Sequence, residues 1–168
     1  MREWIPIPGT AKARLAEVAL VAFGQQGYAG VAVSHLAEAA QVTTGALYHH
    51  FGSKAGLYAL VRTEVERRVL DRMEGAEAVP SATLSVILGV GLDAARRQSA
   101  VVLLSEPPPI AREDVLAEWI GARADARLVG LGPLVVGAWQ AALAEVARGA
   151  DPERVKAALA RLVRSLDG

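Results

Sequence analysis

The chain has 168 residues, no cysteine, and 18 basic against 18 acidic side chains, a formal net charge of zero. That length suits one good core, or a small module fused to a larger one. The missing cysteines exclude disulfides and thiolate metal sites and agree with a reducing cytoplasm, while the zero balance argues against a chain coated all over with nucleic acid.

Residues 1–62 carry five basic groups (Arg2, Lys12, Arg14, Lys54, Arg62) against three acidic ones (Glu3, Glu17, Glu38), so an anion-facing surface would be local and N-terminal. The opening "MREWIPIPGT" has no long apolar run behind a basic region, and a signal peptide is not expected. Apolar residues then recur every three to four positions, the helical period. Thr10 is placed to cap a first helix with Leu15, Val18, Ala19, Ala22 and Phe23 on one face, and Gly27 to end it. A short helix follows over about 33–40, with Val33, Leu36, Ala37 and Ala40 inward; another opens at Thr43-Thr44 and runs through Phe51. Ser53 can cap a long helix that holds Leu57, Leu60, Val61, Val65, Val69 and Met73.

Pro80 and Ser81 in "GAEAVPS" mark a module boundary at about 75–80. Residues 84–104 read as one or two helices halted by "EPPP", and a helix from about 112 to 127 carries Val115, Trp119 and Ile120. The run "LVGLGPLVVGAWQAALAEVA" is broken by glycines and Pro133. It suits a buried or interface helix over about 131–148 better than a membrane span. Its stripe is Leu131, Leu134, Val135, Ala138, Trp139, Ala142, Leu143 and Val146. "GADPE" supplies a stop at Gly149, a cap at Asp151 and Pro152 at the first helical position of a last helix bearing Val155, Ala158, Leu159, Leu162, Val163 and Leu166. The expectation is all-α, about nine helices and no strand.

"QVTTGALYHHFGSK", residues 41–54, holds two of the three histidines. His49 and His50 diverge by about 100° on a helix, no acid completes a ligand set, and no H-E-x-x-H occurs, so no metal is expected. No serine is spaced with a histidine and an acid, and "GVG" and "GLG" lack the strand that a phosphate loop follows; no catalytic residue and no cofactor are expected. Two short helices about a tight turn do match a helix-turn-helix, whose second helix enters the major groove with its N-terminal residues at base edges. Thr43, Thr44, Gly45 and Ala46 are small enough for that entry, Leu47 and Phe51 sit four apart as anchors, and Tyr48, His49 and Lys54 are free to donate. His50 is better placed to brace the bend.

With "ALVAFGQQGYAG" and "LAEAAQVTTGALYHHFGSKAGLYALV", residues 11–65 resemble the tetracycline-repressor family of bacterial transcription regulators. The match includes Phe23, Gly27, Tyr28, Leu36, Ala37, Ala40, Val42, Gly45, Tyr48, His50, Phe51, Lys54 and Leu57. The resemblance implies a DNA-binding domain over 1–54 and a helical regulatory and dimerisation domain over 55–168. It implies that Thr43, Thr44, Gly45 and Ala46 approach bases or adjoining backbone, that Tyr48 and Lys54 bind phosphates, and that His49 touches either. It further implies a cytoplasmic homodimer on a palindromic operator. The last two helices would form its interface, through Leu131, Leu134, Val135, Ala138, Trp139, Ala142, Leu143, Val155, Leu159, Leu162 and Leu166. A small apolar effector would release the DNA, without contact to a membrane; the residues that would hold it are not identified.

Three departures stand out. Val31-Ala32 replaces the hydroxyl pair usual before the second helix, which forfeits about 1 kcal/mol of capping and a phosphate donor. Gln41 stands where the turn usually has glycine, and no Arg or Lys precedes Lys54 on the recognition helix. These departures favour, as the rival reading, a helical interaction module that keeps the scaffold without specific DNA binding.

Overall fold

In the computed structural model, residues 9–110, 113–123 and 130–164 are described. Among them the chain forms nine helices and no strand. They are α1 (Ala11–Gln26), α2 (Val33–Ala39), α3 (Thr44–Phe51), α4 (Lys54–Glu77), α5 (Leu84–Arg97), α6 (Val101–Ser105), α7 (Val115–Gly121), α8 (Leu131–Ala147) and α9 (Pro152–Val163). Side-chain caps set most N-termini: Thr10, Thr43, Ser53, Thr83, Asp114 and Asp151 each accept from a backbone N–H two or three residues on. Ala32 caps α2 without a side-chain hydrogen bond, as the sequence implied; Ser34 does not take over that role.

Three helices end in a Schellman motif. After α2, Gln41 N–H donates to the Glu38 carbonyl and Val42 N–H to the Ala37 carbonyl, both at 2.9 Å. After α5, Ser99 N–H donates to Arg96 O and Ala100 N–H to Ala95 O; after α8, Gly149 and Ala150 repeat the pattern onto Val146 O and Glu145 O. The motif needs a left-handed residue, and two of the three are not glycine: Gln41 at φ 53° and Ser99 at φ 54°. The Ser99 turn splits the 84–104 segment into α5 and α6. The helix expected over 112–127 is shorter: Asp114 caps it, it runs Val115–Gly121, and 124–129 lie outside the described residues.

α1, α2 and α3 pack on one another, and α1 and α3 also pack on α4, which continues onto α5; α6 lies between α1 and α8, and α8 packs on α7 and α9. The 75–80 junction does end α4, yet the buried apolar residues form one cluster from Leu15 to Val163. α4 therefore belongs to both halves. Two glycines are fixed by close approach: a Cβ on Gly24 would meet Ser99 O at 2.2 Å, and one on Gly132 would meet Ala117 O at 2.1 Å.

Arg62 corrects the charge reading. Counted by sequence among the N-terminal cations, it is 2% exposed and ion-paired to Glu66 at 2.8 Å, so it offers nothing to an external anion.

Candidate nucleic-acid interface

The surface is built on α3. Leu47 is buried and Phe51 half-buried, which anchors one side of the helix to the core. Thr43, Thr44, Gly45, Tyr48, His49 and His50 are exposed, with Ala46 half-buried at the edge. Thr43 Oγ1 accepts from Ala46 N at 3.1 Å. A hydroxyl that accepts keeps its own proton, so Thr43 can cap the helix and still donate outward. Tyr48 is 51% exposed.

Gly52, at φ 73°, closes α3, and its N–H donates to Tyr48 O at 2.8 Å. The chain then turns so tightly that a Cβ on Gly56 would meet Phe51 O at 2.2 Å. Ser53 restarts the helix through a bond from Gly56 N, and Lys54 follows at its first position. The Lys54 ammonium lies 4.3 Å from the centre of the Tyr28 ring. Tyr28 in turn packs edge-on against Tyr58 at 5.2 Å, with Phe23 beside both. A cation over an aromatic face keeps its charge and loses freedom, so Lys54 is held near the C-terminal end of α3. Tyr28 as its seat was not legible in the sequence, since the contact joins residues 26 apart in chain order. His50 is exposed, and its ring lies 5.2 Å from that of His49 and 6.2 Å from that of Phe51 between centres.

Gln41 carries the turn between the two helices. A left-handed residue other than Gly, Asn or Asp costs roughly 1 kcal/mol relative to glycine. Gln41 is exposed and its side chain holds nothing in place. Gln41→Gly is expected to raise unfolding free energy by about 0.5–1 kcal/mol in urea titration. A loss of stability would mean that Gln41 makes a stabilising contact.

The dimerisation stripe divides. Val135, Trp139, Ala142, Leu143, Val155 and Leu159 are buried in the chain's own core, and Trp139 donates from Nε1 to Leu88 O at 3.1 Å. Within the single chain, α8 and α9 each bury one side of a broad apolar surface. Leu134 (72%) and Leu162 (66%) remain exposed, with Leu131 and Ala138 half-buried; Leu166 lies outside the described residues.

Comparison with known proteins bears on this surface directly. Residues 15–61, which hold α1 to the first turns of α4, match the sequence profile of bacterial regulatory proteins of the tetR family. That N-terminal segment is similar to the tetR family of regulators. Across 48 residues the chain is 50% identical to the HTH-type transcriptional regulatory protein RaaS of Mycobacterium tuberculosis, covering 29% of this chain and 22% of that protein. Across 95 residues it is 28% identical to the HTH-type transcriptional regulator BetI of Paraburkholderia xenovorans, covering 54% and 49%. The chain thus spans about a fifth and about half of these relatives' lengths. A solved structure from Shewanella sp., titled a tetR family transcription regulator, superposes with a TM-score of 0.67 at 23% identity over 91% of this chain and 95% of that one. At that identity the likeness shows the fold alone, and the shared fold covers most of the chain. The tetR family is one of regulators and not of enzymes. Among the described residues no group of three His, Asp or Glu side chains is placed to hold a metal ion, and no helix is long and apolar enough to cross a membrane.

Proposed function

We propose that the chain is a homodimeric, sequence-specific DNA-binding transcriptional regulator, with residues 1–54 as reader and 55–168 as regulatory and dimerisation part. The observation that carries this is Gly45. A Cβ there would meet only Thr43 Oγ1, at an ordinary 3.6 Å, so the chain itself does not require glycine. Glycine in a helix costs about 0.5–1 kcal/mol relative to alanine, and its use on the exposed leading edge of α3 suits the close approach of an external backbone. Thr43, Thr44, Gly45 and Ala46 then enter the major groove, and Tyr48 and Lys54 clamp phosphates on either side. His49 reaches a base or a phosphate. Without Arg or Lys on the leading edge, base reading rests on hydroxyls, imidazole and thymine methyls, and two readers joined in a dimer supply the affinity that one lacks. The regulator acts as a repressor that leaves its two-fold operator when a small apolar effector enters the helices around Trp119 and changes the spacing of the readers. The buried Trp119 Nε1, which has no hydrogen-bond partner, gives such an effector a donor to meet.

Fluorescence anisotropy on DNA from upstream of the protein's own gene, at several salt concentrations, tests the reading. Affinity should fall steeply with salt, and Lys54→Ala should flatten the log–log slope by about 1. Tyr48→Phe should weaken binding several-fold on every sequence that binds. Absence of sequence-selective binding at low salt by the purified dimer would overturn it and leave the interaction-module reading. Gly45→Ala gives an independent check: folding stability rises by about 0.5 kcal/mol while DNA affinity drops. A purely structural glycine would not show that opposition.

A further inference from the structure

A cleft of about 500 Å³ lies between α4 and α5, far along α4 from the reader, lined by Arg68, Asp71, Arg72, Ala94, Arg97 and Gln98. Three guanidinium groups and one carboxylate share it, and the carboxylate is already engaged: Asp71 pairs with Arg67 at 3.4 Å. Arg68 is held through Nε by Glu64 at 2.8 Å. Arg72 and Arg97 are exposed and have no ion-pair partner among the described residues. Like charges gathered around one concavity repel, and nothing within the chain requires that arrangement. The floor adds an independent sign. Oε1 of Gln98 is buried and accepts no hydrogen bond, while Nε2 of the same side chain is spent on Ala94 O at 3.4 Å. A buried acceptor without a donor is costly.

We propose that this cleft is a binding site for a small organic anion that carries two or more carboxylate or phosphate groups, together with a hydroxyl. Arg72 and Arg97 supply the forked donors that such groups take in pairs, Arg68 adds the ends of its guanidinium left free by Glu64, and the ligand's hydroxyl gives Gln98 Oε1 its missing donor. The aliphatic stems of the arginines and Ala94 cover the carbon frame. The site stands independently of the DNA-binding reading. Its position still has a consequence for that reading. Gln98 is followed by the left-handed Ser99, whose carbonyl is packed on Gly24 of α1, so an anion that reorders Arg97 and Gln98 does so one residue from a rigid contact with the reader.

Citrate is a suitable probe, with chloride at matched ionic strength as the control. For the full chain, citrate should raise Tm saturably, by about 3–6 °C at roughly tenfold above Kd, and should shift the Gln98 side-chain amide in an ¹H–¹⁵N spectrum. The double variant Arg72→Gln with Arg97→Gln removes only exposed, unpaired groups. It should melt at or slightly above wild type in chloride, as like-charge repulsion is relieved, and lose the citrate effect; Arg72→Gln alone should weaken it. A citrate response that is unsaturable, or equal in wild type and double variant, overturns the site; so does an unmoved Gln98 amide at saturating citrate.

Discussion

Arg62→Met should cost about 3–5 kcal/mol of unfolding free energy, because it removes one half of a buried charge pair together with the donors it gives to buried carbonyls. Arg62 and Glu66 are 2% and 6% exposed and bond at 2.8 Å across one turn of α4. Arg62 also donates from Nη1 to Leu103 O and Glu106 O, both at 2.6 Å, and to the Tyr58 hydroxyl at 3.2 Å. These carbonyls belong to the end of α6, where a helix leaves its last carbonyls without internal partners and where a positive charge is favourable. Tyr58 adds its own O–H to Leu103 O at 3.1 Å; burial, the largest influence on it, pushes its pKa up, so the proton stays in place to donate. A loss of that size is a large share of the stability of a domain, and urea titration at neutral pH will measure it. A cost below about 1 kcal/mol for the single variant would show that solvent reaches the pair freely.

The same variant bears on the reader. The Glu106 side chain accepts from Tyr28 N at 3.0 Å, and Gly27 is bare where a Cβ would fall 2.2 Å from that carboxylate. Arg62 fixes the backbone of Glu106, Glu106 fixes the backbone of Tyr28, and the ring of Tyr28 carries Lys54. A chain of direct contacts therefore runs from the middle of α4, through the end of α6, to one of the proposed phosphate donors.

What could be read from the sequence was local. Thr10, Thr43, Ser53 and Asp151 lie two or three residues from the N–H groups they cap, so each cap is written in one short window. The positive φ at Gln41 was implied by the family resemblance, in which glycine usually holds that place in the turn. Arg62 was not legible. Its partners on α6 lie 41 and 44 residues away, and in sequence it looks like any solvated arginine of a long helix. Neither was the seat of Lys54 on Tyr28. The α8 and α9 stripes show a different limit. Their residues are apolar whether they pack inside the chain or against a second copy, and periodicity does not separate Leu143 from Leu134.

That division sets the second large expectation. Replacing both Leu134 and Leu162 by glutamate should convert the proposed dimer to monomer and lower affinity for the proposed operator by about 10²–10⁴, the advantage that linked binding of two half-sites confers. The two leucines are 72% and 66% exposed, and on α8 Leu134 continues through Gly137, Ala138 and Ala141, spaced along one helical face. Small residues there let a second helix approach closely, and Ala158 and Leu162 extend the patch on α9, which packs beside α8. Burying leucine side chains against a copy of themselves is favourable by about 1.5–3 kcal/mol each, whereas carboxylates in their place would meet like charge across the two-fold axis. Because both positions face away from the core, the variant's monomer should keep its helical circular dichroism and differ in sedimentation. Val135→Glu and Leu159→Glu are the contrast, since each would put a charge into the chain's own core and should unfold it. Sedimentation velocity at micromolar concentration decides the matter: a Leu134→Glu, Leu162→Glu chain that still sediments as a dimer would move the interface off this face.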